Sequence, residues 1–378
     1  MVRHRHITAF PTLSLRVLFR RSAALARAGA TGDTVVLLSS ARAAAFHAVR
    51  HFGIRAPDRV LVPSYHCGVE IEAILQAGAA VTYYSVGRGM SVDDATLLQN
   101  MAPEVKALFV VHYWGFPQDA RNLAGLCKQH GILLIEDCAH ALFSGDGSGP
   151  VGVSGDAALF SLPKTLPLPD GGILRLKGKV PGPQDLRGGI NAAAYKVGIR
   201  SVLEHQRSAS RAPLSSFAGL LLDGMHRAAA TSDTGWVDHG ETPLCMYRRG
   251  MSCLSRFVFR RALEGEVVAR RRANYAALLA RLADEGDLDV VHDRLGEGVC
   301  PLFLPVIAPD RDGLEGHLRR RGIGTFVFGR DLHRTLDRDE YPDATYLSRH
   351  VLGLPIHQDL DEKDMEFIAE AIKERPGD

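Results

Sequence analysis

From about residue 33 the chain alternates short apolar runs with amphipathic stretches. The runs VVLLS (35–39), RVLVP (59–63), AAVTYYSV (79–86), KALFVVHYWG (106–115), ILLIED (132–137), ALFSL (158–162) and GGILRL (171–176) are predicted strands. They have the length and the β-branched and aromatic content of buried strands. Apolar residues at helical spacing predict helices over Ala43 to Phe52, Glu70 to Gln76 and Asp119 to His130, the last closed by Gly131. Strands separated by helices favour a mainly parallel sheet covered on both faces. The predicted class is therefore α/β, built on a mainly parallel seven-stranded sheet.

Between about 178 and 245 the pattern loosens into Gly, Pro, Ser and Ala, and only weak helices can be placed. A long charged helix is expected over Phe257 to Ala283. It should lead into LFLPVIA (302–308) as a strand, a helix ending near Arg321 with Gly322 as its cap, and TFVF (325–328) as a further strand. We therefore expect a large domain over 1–250, with 178–245 as an extended insertion, and a smaller C-terminal α/β domain over 251–378. A chain of 378 residues is long enough for such a pair.

Composition narrows the setting. A formal net charge of +2 gives no electrostatic argument for nucleic acid or an acidic membrane surface. The basic start (Arg3, His4, Arg5, His6, then Arg16, Arg20 and Arg21) is not a secretory pattern, because Arg16 interrupts the apolar stretch from Leu13 to Phe19. No apolar run reaches membrane-spanning length. The six cysteines are scattered without a CxxC pair, which reads as reduced thiols of a cytoplasmic protein with no disulfide frame and no metal site.

Two segments carry candidate chemistry. EDCAHA (136–141) follows a strongly apolar strand and so sets Asp137 at the strand's C-terminal edge, where open α/β sheets bind ligands. A carboxylate there can pair with a protonated pyridine nitrogen and make the ring an electron sink. His140 is near enough to reach a neighbouring oxygen of the same ring. The plain alternative is that Asp137 caps a turn and His140 is a surface histidine. In GDAALFSLPKTLPLPDGGIL (155–174) one lysine, Lys164, lies among three prolines in an irregular loop between two strands. Such a lysine is placed to attack a carbonyl if its surroundings depress its pKa. Alone, it reads equally as a solvated loop lysine.

Taken together and in order, these segments resemble the sugar aminotransferase family called DegT/DnrJ/EryC1/StrS. The resemblance starts at SARAAAFHAVRHFGI (40–54) and continues through DRVLVPSYHC (58–67), AILQAGAAVTYYSV (73–86) and VVHYWGFPQDARNLAGLCKQHGILLIEDCAHA (110–141). It resumes in the lysine loop and returns at RRRGIGT (319–325) and LGLPIH (352–357). The resemblance implies fold type I of the pyridoxal 5'-phosphate (PLP) enzymes, with PLP as cofactor. Lys164 matches the lysine that holds PLP covalently and later moves a proton between substrate and cofactor. Asp137 matches the pyridine-nitrogen partner, His140 the residue beside the ring oxygen, and Ser161 the serine on the phosphate. The turn at Ala41–Arg42 matches the phosphate-cradling turn before the first helix, where free N–H groups and the helix dipole favour an anion.

The chain also departs from the family pattern. Ala41-Arg42 replaces Gly-Thr, which exchanges a hydroxyl contact for a guanidinium that can pair with phosphate or point outward. The interval from Ser161 to Lys164 is shorter than in typical members. The aromatic that stacks on the cofactor is replaced by Cys67, leaving His66 or Tyr65 to cover the ring face or to serve as buried structure. An Asn-containing stretch that reaches the partner subunit's phosphate is replaced by MYRRGMS (246–252), with Arg248 or Arg249 in its place. The stretch over 178–245 exceeds the family length and reads as a lid, a dimer contact or neither.

The implied function is transfer of an amino group from an amino acid, glutamate foremost, to a keto sugar carried on a nucleotide, within polysaccharide or natural-product biosynthesis, by a homodimer. Relatives that dehydrate sugars have histidine at the lysine position, so Lys164 argues against that reaction. A catalytically degenerate member acting as scaffold or regulator is the competing reading.

Overall fold

The computed structural model describes residues 6–19, 32–188, 191–209, 242–283 and 286–375. Arg3, His4, Arg5, Arg20 and Arg21, and much of the 178–245 stretch, lie outside them. The first part of the chain runs β1 (Thr34–Leu38), α1 (Ala41–His51), β2 (Arg59–Pro63), α2 (Val69–Gln76), β3 (Ala80–Tyr84), α3 (Asp94–Gln99), β4 (Val105–Val111), α4 (Ala120–His130), β5 (Leu133–Asp137), β6 (Ala157–Ser161), α5 (Leu162–Thr165) and β7 (Gly172–Leu176). The strands form one seven-stranded sheet in the order β1-β7-β6-β5-β4-β2-β3. Neighbours from β6 through β5, β4 and β2 to β3 are parallel, and β7 runs antiparallel to both β1 and β6.

Every residue of β6 and β7 is buried, and in β4 only Lys106 is exposed. Alternate residues of a strand face opposite sides, so such strands are covered on both, which is why they read as continuous apolar runs. Helix α1 presents Ala41, Ala43, Ala44, Ala45 and Ala48 inward. These small side chains let it lie close on β6 and β7.

The later chain runs α6 (Ala192–Ala209), α7 (Leu244–Tyr247), α8 (Cys253–Phe259), α9 (Glu264–Leu282), β8 (Asp289–Val290), β9 (Phe303–Ile307), α10 (Arg311–Arg320), α11 (Pro342–His350), β10 (Val351–Pro355) and α12 (Glu362–Lys373). Its strands form a three-stranded antiparallel sheet, β10-β9-β8. Helices α9 and α12 pack on each other, and α9 also packs on β9. Residues near the start of the chain dock here too: Ile7 bridges to Ile323, and the Thr12 N–H donates to Asp359 at 2.7 Å. No described helix is long and apolar enough to cross a membrane.

Four local expectations are corrected. The helix expected over Phe257 to Ala283 is two helices: the chain turns through extended backbone at Leu263, and both Phe259 and Val267 reach the smaller apolar cluster around Leu162. TFVF (325–328) is not a strand; it meets β10 only where Phe326 and Gly353 exchange hydrogen bonds of 3.1 and 2.8 Å. The strand expected over 106–115 ends at Val111, and Tyr113–Gly115 form a 3-10 turn in which Trp114 has φ 56°. The loop expected around Lys164 is the helical turn α5, with Pro163 in its first turn, where a fixed φ and a missing N–H cost nothing.

Candidate active site

Because β1, β2, β4, β5 and β6 point the same way, their C-terminal ends share one edge of the sheet. Across that edge stand the start of α1 after β1, Ser161 at the end of β6, Asp137 at the end of β5, the Trp114 turn after β4, and His66 after β2. Residues far apart in sequence are thus brought side by side by the topology alone.

At one end, Ser161 pairs in register with Gly172, and Gly172 lies directly against Ser40 and Ala41. Ser40 caps α1 by accepting from the Ala43 N–H at 3.2 Å. Ser161, the glycine step and the first turn of α1 therefore form one corner. The Ser161 hydroxyl makes no cap bond to its own helical turn. Free amides and the positive end of the α1 dipole suit this corner to an anion. Arg42 sends its guanidinium to the Thr242 hydroxyl, in the segment that leads into α7. Beside the corner, Arg187, Arg248, Arg249 and Asn191 line a cavity of about 790 Å³, and the Arg249 carbonyl accepts from the Ser39 N–H at 2.9 Å.

In the middle, Asp137 is 3% exposed. One carboxylate oxygen accepts from the Ala139 N–H at 2.8 Å, so it does cap a turn, and the other faces the His66 ring at 3.7 Å. The alternative of a surface histidine fails for His140, which is 2% exposed. Its Nδ1 accepts from the Trp114 N–H at 3.4 Å, which puts the proton of the neutral ring on Nε2. Nε2 is buried and has no partner. Burial, then the charges of Lys164 and His66, hold the His140 pKa well below its ordinary value, so the ring stays neutral.

His66 has the opposite balance. Burial alone would lower its pKa, but Cys67, Asp137 and Glu70 outweigh burial and push it up to about 10. Its Nε2 stands 3.6 Å from Glu70 and 3.7 Å from Asp137, while Nδ1 accepts from the Gly68 N–H at 3.0 Å. An imidazolium has no lone pair for that N–H, so charging His66 requires the Gly68 contact to be given up. Tyr65 takes the structural role: fully buried, it donates to the Phe328 carbonyl at 2.8 Å.

Lys164 is half-buried and aims its Nζ over the Phe328 ring, 5.9 Å from the centroid. Its turn is held from the far side of the molecule. The Thr165 carbonyl accepts from Arg271 at 3.2 Å and from Gln358 at 3.0 Å, and Arg271 is itself buried in carbonyls. Arg271, Phe328 and the buried Glu136–His112 pair behind Asp137 were not foreseen. Their partners are distant in sequence, and an arginine on a charged helix carries no visible mark of burial.

PLP requires an acceptor for its ring nitrogen, a donor for its ring oxygen, N–H groups for its phosphate and an amine for its aldehyde. The Asp137 oxygen that faces His66, the unpartnered Nε2 of His140, the Ser161 corner and Lys164 fit those needs on one sheet edge.

The description DegT/DnrJ/EryC1/StrS aminotransferase family matches residues 26–178. GDP-perosamine synthase of Vibrio cholerae is 32% identical over 130 residues, 34% of this chain and 35% of the relative. The match thus spans about a third of that relative's length. Among solved structures, the aminotransferase TlmJ from Streptoalloteichus hindustanus superposes with a TM-score of 0.64 at 22% identity, over 89% of this chain and 84% of that one. PseC of Helicobacter pylori, an aminotransferase involved in the biosynthesis of pseudoaminic acid, superposes with a TM-score of 0.67 at 14% identity, over 98% and 99%. These likenesses extend the same fold, that of the PLP-dependent aminotransferases, over nearly the whole chain. Residues 26–178, which hold Asp137, His140, Ser161, Lys164 and the start of α1, are similar to the DegT/DnrJ/EryC1/StrS aminotransferase family.

Proposed function

We propose that this protein is a PLP-dependent aminotransferase that moves an amino group from an amino acid, with glutamate as the leading donor, onto a nucleotide-linked keto sugar. The observation that carries the reading is the buried, unpartnered Nε2 of His140 on the sheet edge that also carries Asp137 at the end of β5 and that Lys164 overlooks. The bound cofactor supplies an electron sink for the negative charge left at a deprotonated carbon. Asp137 keeps a proton on the ring nitrogen. His140, neutral and carrying its proton on Nε2, donates to the ring oxygen. Ser161 and the first amides of α1 hold the phosphate. Lys164 would hold the cofactor through its amine and would take the proton from the substrate's α-carbon.

The name of the matched relative, a GDP-perosamine synthase, supports a nucleotide-linked sugar as the acceptor. The arginine-lined cavity beside α1 supports an anionic acceptor or a neighbouring subunit, and a homodimer is the assembly we propose. Purification without added cofactor, followed by spectra before and after borohydride and peptide mass mapping, tests the cofactor. The expected result is a reducible absorbance band and a reduced pyridoxyl group on Lys164. A panel of nucleotide-linked keto sugars with glutamate then tests the reaction. A protein that binds no PLP would end this reading in favour of the scaffold.

A further inference from the structure

The sequence resemblance sets Cys67 where a stacking aromatic is expected, and Cys67 is engaged with Glu70, its Sγ 3.7 Å from the carboxylate. Another aromatic reaches the same space from the far end of the chain. The Phe328 ring meets His140 edge-on with centroids 4.7 Å apart, meets His66 edge-on at 5.8 Å, and lies beneath the Lys164 Nζ at 5.9 Å. It is thus surrounded by three of the residues that frame the proposed cofactor site.

The position of this ring is set by more than packing. Phe326, two residues before it, exchanges hydrogen bonds with Gly353 on β10. The Phe328 carbonyl accepts from the buried Tyr65 hydroxyl at 2.8 Å. Gly329 follows at φ +65°, and a Cβ there would stand 2.9 Å from the Tyr65 ring. A bulkier residue would therefore push the segment off its anchor. The backbone on both sides of Phe328 is pinned, once to the second sheet and once to the loop after β2.

We propose that Phe328 is the aromatic wall of the cofactor site, supplied by the segment between α10 and α11 in place of the residue missing at Cys67. The inference rests on the PLP reading above. An aromatic wall packs on a flat heteroaromatic ring and excludes water from it. Exclusion of water strengthens the pairing of Asp137 with the ring nitrogen. A site closed in this way is complete only when the second sheet is docked on the first. The grip of Arg271 and Gln358 on the Lys164 turn makes the same demand.

The test compares Phe328→Leu and Phe328→Tyr in the full-length protein. Cofactor affinity is read by titration of the apo form, and the asymmetry of the site by the circular dichroism of the cofactor's visible band. Phe328→Leu should bind PLP about tenfold more weakly, the scale of one lost aromatic contact, and should lose most of the dichroic band. Phe328→Tyr, which keeps the ring, should retain both. If Phe328→Leu does not fold, Tyr65→Phe releases the Phe328 carbonyl without a change of volume. It should weaken PLP binding and diminish the band. Unchanged affinity and dichroism in the folded variant would overturn the assignment, and so would tighter binding, which would mean that the ring stands in the cofactor's own space. A wild-type protein without any PLP band would instead bring down the reading on which the assignment rests.

Discussion

Gly172 lies so close to Ala41 that a Cβ on it would stand 2.6 Å from the Ala41 amide nitrogen and 2.2 Å from the carbonyl carbon of Ser40. Both obstacles are backbone, so no flexible side chain can yield. Gly172→Ala should therefore displace the start of α1 and destabilise the protein by roughly 1–3 kcal/mol, the usual cost of overpacking. The displaced amides are those proposed to hold the cofactor phosphate, so affinity for PLP should fall as well. Denaturant midpoints and a PLP titration separate the two effects. Lost stability with unchanged affinity would move the phosphate site elsewhere.

Behind Asp137, strand β5 turns Glu136 to the opposite side, where it is fully buried. Its carboxylate accepts from the Gly155 N–H at 2.6 Å, the Gly152 N–H at 2.9 Å and the His112 Nε2 at 3.1 Å. Burial alone would raise its pKa, but His112 and the two amides outweigh it and hold the pKa below the ordinary 4.5. The stability this carboxylate contributes is full above pH 4.5 and is lost as pH falls through the lower folded value. Glu136→Ala should cost on the order of 3 kcal/mol, because it strands buried donors. Glu136→Gln should flatten the acid limb of a plot of denaturation midpoint against pH. Parallel acid limbs for wild type and Glu136→Gln would contradict this account.

His357 adds a second loss of stability toward acid, at the second sheet and over a higher pH window. It is buried, its Nε2 donates to the Thr8 carbonyl at 2.9 Å, and burial drives its pKa down to about 4 from 6.5. The unfolded chain takes up a proton that the folded one refuses. Stability should therefore fall as pH drops from 6.5 toward 4, before Glu136 begins to titrate. His357→Gln should weaken that dependence, measured by denaturation across pH 7 to 4. A slope unchanged by the substitution would assign the loss to other groups.

The parts legible in the sequence are those fixed by local physics. β4 to β7 are covered on both faces, so burial writes itself as unbroken apolar runs. Asp137 and Lys164 stand out because each follows such a run at its C-terminal end. α11 was overlooked although its signal was present, with Pro342 in the first turn and Ala344 and Leu347 on one face. The turn around Lys164 was misread because its prolines suggest irregular backbone, whereas Pro163 at the first turn favours a helix. Phe328 was not legible. Its partners are Tyr65, His66, His140 and Lys164, and no short-range pattern announces contacts across such separations.

Lys164 and Asp137 stand on the same sheet edge but should fail in different ways. Lys164→Ala removes an amine from a half-buried turn that Arg271 and Gln358 hold through the Thr165 carbonyl, not through the lysine itself. The fold should survive, with a denaturation midpoint close to wild type. Borohydride should no longer fix PLP to the chain, and amino transfer should be abolished, because no group remains to move the proton from the substrate's α-carbon. Asp137→Asn keeps the size of the side chain and its hydrogen bond from the Ala139 N–H. It removes the charge that holds a proton on the ring nitrogen, a pairing worth roughly 1–3 pKa units. Borohydride labelling at Lys164 should therefore persist in Asp137→Asn while turnover falls by orders of magnitude. The pair of variants separates covalent attachment from activation of the ring. Wild-type turnover by Lys164→Ala, without an added amine to replace the side chain, would refute the aminotransferase mechanism.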